Sequence, residues 1–309
     1  MMKVDYASIP PTAALGRGPS RHMANYDKVF AASLARAADE TAIESSRDAD
    51  ELADYLKTYD ELGVDRVVIR ARDVETTFGV KISNETVAEF CRAHSPRFLG
   101  LASVDPHKGM TALREFEHAI TRLGLRGLHL PCFEHKLDVN AKELYPLYAK
   151  CIELDVPVNV HVGMSFSSAV RMTYGLPRYL DEVMVHFPEL KVVASVPGFP
   201  WVLELIGVAW RHPNVHIALN ALRPKYLQTA GSGFEPLLQY GRTVLRERIL
   251  CGSNWPLQSV RKYFAELDVL PLEEDVRAGW VGGNAARLFR IEEAGRAADC
   301  SAQAASAQR

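Results

Sequence analysis

No stretch of this chain approaches the ~18 consecutive apolar residues that a membrane-spanning helix requires, yet 48% of its 309 residues are hydrophobic, so the apolar content goes to a buried core. Charge of one sign is not in excess either. Thirty-six basic and 38 acidic residues leave a formal net charge of −2, too weak a field to gather nucleic acid or an anionic membrane. The five cysteines (Cys91, Cys132, Cys151, Cys251 and Cys300) are odd in number and include no CxxC pair, which argues against a disulfide framework or a structural zinc site and fits a reducing compartment. The opening residues, MMKVDYASIPP, carry no apolar signal-type segment, so a cytoplasmic location is expected. GxSxG, the P-loop lysine and the dinucleotide glycine spacing are all missing. A serine triad and a nucleotide cofactor are therefore not expected, and a small molecule is the default ligand.

What the chain does have is alternation. Short apolar runs predict strands at Lys3–Tyr6, Arg66–Arg70, Phe98–Ser103, Gly127–Leu130, Val158–Val162, Lys191–Ala194, Val215–Leu219 and Ile249–Gly252. Between them lie helical patterns such as Asp48–Leu62, with Leu52, Leu56, Tyr59 and Leu62 on one face, and Ala141–Leu154. Eight strands alternating with helices predict an α/β fold, a distorted (β/α)8 TIM barrel filling residues 1–292 as one domain. Residues 10–41 form an insertion after the first strand, expected to cap the barrel mouth because it leaves that strand's carboxyl end. The Ala-, Ser- and Gln-rich tail, 293–309, is expected to be disordered.

Several segments in order carry a family resemblance: GLHLP (127–131), LYPLYAKCIELDVPVNVH leading to His161, HFPELKVVAS, the run SVPGFPW, RILCGSNWP (248–256) and GGNAARLF (282–289). Together they resemble the amidohydrolase-2 family of TIM-barrel enzymes. That resemblance implies a divalent metal at the carboxyl ends of the strands, held by an HxH pair on the first strand, histidines after the fifth and sixth, and an aspartate on the eighth. Here the first-strand region reads Tyr6, Ala7, Ser8, Ile9; the sixth-strand position is Ser195; and Asn254 stands where the eighth-strand aspartate belongs. Only His161 remains of the implied ligands. Hydroxyl and amide oxygens are poor zinc donors, so no metal is expected, unless loop histidines such as His22 or His135 rebuild a site.

Alternate residues of a barrel strand point inward. Arg70 and Arg72, His129, Asn159 and His161, Ser195, Asn220 and Asn254 are thereby expected at the mouth, a face of cations and amides with few acids. His161 and Asn254 are the expected catalytic pair; Arg70, Arg72, His129, Asn159, Ser195 and Asn220 are expected to bind a ligand bearing carboxylate or carbonyl oxygens. Cys132 and Cys251 read as packing residues. The function expected is metal-independent hydrolysis of a lactone or other activated carbonyl of a small carboxylated compound, aromatic-derived ones included, because a ring ester needs less electrophilic help than an amide. The resemblance supplies a precedent, since the superfamily contains metal-independent lactonases of pyrone dicarboxylates. Two alternatives stand beside it: an inactive paralogue that binds a small acid or docks on an active amidohydrolase subunit, and a metal-dependent hydrolase or decarboxylase with a rebuilt site. Neither nucleic acid nor membrane is an expected partner; a homo-oligomer is plausible for such a barrel.

Overall fold

The computed structural model describes residues 2–16, 21–41 and 51–291. Eight parallel strands appear where the apolar runs predict them: β1 (Val4–Asp5), β2 (Arg66–Arg70), β3 (Phe98–Leu101), β4 (Leu128–Leu130), β5 (Val158–His161), β6 (Val192–Ser195), β7 (Val215–Ala218) and β8 (Ile249–Leu250). They pair as a three-stranded sheet, β1–β2–β3, and a five-stranded sheet, β8–β7–β6–β5–β4. Two bridges close the ring. Ala102 pairs with Leu128 between β3 and β4, and Ser8 pairs with Trp255 between β1 and β8. At the second seam the Tyr6 amide also donates to the Cys251 carbonyl at 2.9 Å. The result is the (β/α)8 barrel.

The two-residue period of the strands sorts their side chains into two cores. Val67 and Ile69, Leu128 and Leu130, Val158 and Val160, and Val192 and Ala194 join the layer between barrel and helices. The alternate positions Tyr6, Val68, Leu101, Val193, Ala218 and Leu250 join a second cluster inside the barrel, plugged at its amino-terminal end by Ala285, Leu288 and Phe289 from the last helix. Each fully buried aliphatic side chain contributes roughly 1.5–3 kcal/mol, so a one-residue slip of any strand is costly. That parity, continued up each strand, aims Arg70, His129, His161, Ser195, Asn220 and Asn254 at the mouth.

Between β2 and β3 an antiparallel ribbon, Arg72–Val74 with Val80–Ile82, rises from the rim. The insertion after β1 contains a short turn, Arg21–Met23, and a helix, α1 (Ala24–Thr41). The expected helix over 48–62 is helical from Glu51 to Glu61, and the expected helix over 141–154 is a short 3-10 turn followed by Tyr145–Glu153. The tail 293–309 lies outside the described residues. No described helix is long and apolar enough to cross a membrane.

Candidate active site

A cavity of about 550 Å³ opens at the carboxyl ends of the strands. Its outer wall is aromatic: Tyr26 and Phe30 of α1, Phe166 after β5, Phe133 after β4, and Phe199 with Phe234 across the mouth. The rings pack on one another, with centroids 4.7 Å apart for Tyr26–Phe30, 4.9 Å for Phe30–Phe166 and 5.4 Å for Phe199–Phe234. Such a wall suits a flat, apolar body. The floor is polar and holds Arg70, His129, His161, Ser195, Asn220 and Asn254.

Arg70 and Arg72 both line the cavity but sit in different electrostatic surroundings. Arg72 is spent. Its Nε donates to Glu134 Oε2 at 3.0 Å and its Nη2 to Glu134 Oε1, while His22 Nε2 donates to the same carboxylate at 2.8 Å. Burial alone raises the Glu134 carboxyl, but the His22 hydrogen bond and the Arg72 charge outweigh it and hold the group at about 2. His22 also stacks on Phe78 with centroids 3.7 Å apart, fastening the insertion to the rim. Arg72 thus lines the cavity as expected, but Glu134 holds two of its three guanidinium nitrogens and only Nη1 is left without a partner. Glu134 is the acid at the mouth that sequence reasoning missed; it follows β4 in a short helical turn, Cys132–His135, that carries no motif.

Arg70, by contrast, has no ion pair or hydrogen bond among the described residues. Its Nε and Nη2 are buried without a partner, and its guanidinium carbon lies 5.7 Å from the Tyr6 ring centroid. Burial lowers its pKa, with the nearby Tyr6 and Asp5 acting in the opposite sense. A buried cation without a counter-ion costs several kcal/mol of desolvation.

Both cavity histidines are kept neutral. His161, lowered to about 4 by burial and by the Arg70 charge, directs Nε2 to the Met164 carbonyl at 3.2 Å, which leaves Nδ1 as its acceptor. His129 is lowered well below its usual range, first by burial and then by Arg70. Asn159 is not at the cavity surface as expected: it lies beneath His129, fully buried, between Tyr6 and the imidazole. Asn220 lines the cavity, yet its Oδ1 is occupied, accepting from Ser195 Oγ at 3.1 Å and from the Val196 amide at 3.0 Å. Those bonds brace an unusual rim. Val196, Ala221 and Asn254, each just past β6, β7 or β8, have φ of +64°, +63° and +56°, and for a β-branched residue such as Val196 this conformation is strained. Cys132 and Cys251 are buried, and burial raises both thiols, Cys132 to about 12; both are packing residues rather than nucleophiles.

The residues present do not fit the divalent metal that the resemblance implies. His161 spends its Nε2 on a carbonyl, Ser195 donates to an amide, Asn254 offers only an amide, and the unpaired Arg70 charge acts on both histidines. The one carboxylate lining the cavity, Glu134, is committed to Arg72 and His22, so a dication there lacks a free anionic donor and meets a positive charge. Among the described residues no three His, Cys, Asp or Glu side chains gather as ligands. His22 is engaged with Glu134, and His135, buried with neither ring nitrogen hydrogen-bonded, belongs to no such group among the described residues.

The chain resembles known proteins over most of its length. A curated relative, the gamma-resorcylate decarboxylase of Rhodococcus jostii, is 24% identical over 68% of this chain and 76% of its own. Among solved structures, an uncharacterized TIM-barrel protein from Bordetella bronchiseptica is 26% identical with a TM-score of 0.76, covering 94% of this chain and 99% of its own. A dihydroxybenzoic acid decarboxylase from Polaromonas, with bound manganese and the inhibitor 2-nitroresorcinol, shares the fold at a TM-score of 0.63 and 16% identity, over 95% of this chain and 98% of its own. The amidohydrolase family model matches residues 29–291, and the chain belongs to that family.

Proposed function

We propose that this protein is an enzyme acting on a small aromatic or aromatic-derived carboxylic acid, and that it hydrolyses an activated carbonyl of that compound, a lactone in the first instance, without a metal. The observation that carries the reading is Arg70, a half-buried side chain with no counter-ion, its Nε and Nη2 buried and unpartnered, beneath an aromatic-walled cavity. An anionic ligand supplies the missing charge, and a planar carboxylate matches the guanidinium fork. The ring then lies in the aromatic vestibule.

The chemistry follows from the neighbours. His161 Nδ1 takes a proton from water, the water oxygen bonds to the ester carbon, and the ring C–O bond breaks as the proton passes to the departing oxygen. The Asn254 amide, with no side-chain partner of its own among the described residues, donates to the oxyanion. A pKa near 4 makes His161 a weak base in the free protein. Because Arg70 contributes to that lowering, a carboxylate bound on Arg70 cancels the charge and strengthens the base when substrate is present.

Decarboxylation is the second reading, favoured by the names of the relatives. Arg70 weighs against it. A cation paired with the departing carboxylate stabilises the ground state more than a transition state in which that charge is leaving. The test is incubation with carboxylated pyrones and phthalides, and separately with dihydroxybenzoates, followed by mass spectrometry. Gain of one water by a lactone, abolished in Arg70→Met, supports the proposal; loss of carbon dioxide from a dihydroxybenzoate with every lactone untouched overturns it in favour of the second reading.

A further inference from the structure

His129 lines the cavity with part of its ring exposed, and its Nδ1 is 2.8 Å from Asn159 Nδ2. Asn159 Oδ1 in turn accepts from the Tyr6 hydroxyl at 2.9 Å. Tyr6 and Asn159 are 0% and 1% exposed, and this decides the direction of the chain. Were the amide turned round, Asn159 Nδ2 would donate to the phenol oxygen and leave the phenol O–H with no acceptor in a place water does not reach. An orphaned buried donor costs about 1–3 kcal/mol. With Oδ1 toward Tyr6, the phenol donates, the amide nitrogen donates to His129 Nδ1, and the proton of the neutral imidazole must sit on Nε2.

We infer that His129 is a catalytic hydrogen-bond donor, held as the Nε2–H tautomer by the positioning residues Tyr6 and Asn159, and that it polarises the substrate carbonyl opposite His161. The two imidazoles then carry the same tautomer but turn different edges to the ligand. His161 gives its Nε2–H to the Met164 carbonyl and offers the lone pair of Nδ1; His129 gives its Nδ1 lone pair to Asn159 and offers Nε2–H. One accepts a proton and the other donates a hydrogen bond. The arrangement needs a neutral His129, and the neighbouring Arg70 cation, together with Glu134, His135 and His161 around the same ring, makes up its electrostatic environment, in which burial dominates. A neutral imidazole is a proven way to polarise a carbonyl without a cation. In step terms it receives the developing oxyanion charge on Nε2–H while His161 holds the proton abstracted from water and then gives it to the departing ring oxygen, so nothing else is consumed.

This rests on the proposed hydrolysis, but its first test does not use a substrate. Nitrogen-15 spectra of histidine-labelled protein at pH 7.5 should show His129 Nε2 as the protonated, pyrrole-type nitrogen and Nδ1 as the unprotonated one. In Asn159→Asp the carboxylate accepts from the ring, and Nδ1 should become protonated; in Tyr6→Phe, which keeps the shape, the amide is released and both tautomers should appear. Wild-type protein with its proton on Nδ1 overturns the inference whatever the enzyme turns over. Kinetics then test the donor role: His129→Leu should lower kcat about 10²–10³-fold with KM changed less than threefold, because the carboxylate anchor is untouched. An unchanged kcat in His129→Leu overturns the catalytic role even if the tautomer is as inferred. Failure of benzoate to bind at Arg70 counts against the proposed function and leaves the tautomer result standing.

Discussion

Arg70 and Arg72 stand two residues apart on the rim of one barrel, and the protein treats them oppositely. Around Arg72 the charge is answered: Glu134 takes two of its three guanidinium nitrogens and His22 besides, and only Nη1 is left buried without a partner. Around Arg70 no acid is paired with the guanidinium, and only the Tyr6 ring lies against it. The first arrangement is a clasp that ties the ribbon, the β4 turn and the inserted segment together. The second leaves desolvation uncompensated until an anion arrives, which is how a fold reserves affinity for a ligand at the expense of its own stability.

That contrast breaks most sharply by removing each cation in turn. Arg72→Met should destabilise the protein by about 3–5 kcal/mol in urea unfolding, because Glu134 is left buried and under-paired. Arg70→Met should leave stability unchanged or raise it. Equal losses from both would erase the distinction. Acid sharpens it next. His129, His135, His161 and His216 are all lowered, chiefly by burial, the last three to about 4. The unfolded chain therefore binds more protons below the ordinary histidine pKa of about 6.5. Stability should be full above that pH and fall as pH drops toward 4, whereas Glu134, held at about 2, contributes throughout this window and fails only in stronger acid. His135→Leu, which also removes two unpartnered nitrogens, should recover about 2 kcal/mol at pH 5 relative to pH 7.5. A smaller effect is expected from the vestibule: Phe30→Ala should weaken binding of an aromatic carboxylate about tenfold in calorimetry through lost ring contact. The smallest is nil. Prolonged treatment with a chelator should leave turnover unchanged, since the donors do not suit a dication; loss of activity restored by manganese would reverse that reading.

Much of the fold was legible because barrel strands obey a period of two and their helices a period near 3.6, both visible in single residues such as Val67, Val68 and Ile69. The same parity carried Arg70, His129 and His161 to the cavity. It went wrong where depth along the strand matters: Asn159 has the inward parity but lies one layer down, where it orients His129 rather than a ligand. Arg72 and Glu134 were illegible for another reason. Their pairing joins residues 62 positions apart, and neither flank carries a pattern that announces it. The aromatic vestibule was hidden likewise, since Tyr26, Phe30, Phe166 and Phe234 come from connections whose geometry no local period fixes.

The central claim is that Arg70 is an anion anchor. Isothermal titration of benzoate into the wild type and Arg70→Met, at low and at moderate salt, tests it most directly. The account predicts one site per chain in the wild type and affinity lower by about 100-fold in Arg70→Met, with Arg72→Lys nearer to wild type. Equal affinity in wild type and Arg70→Met would contradict it.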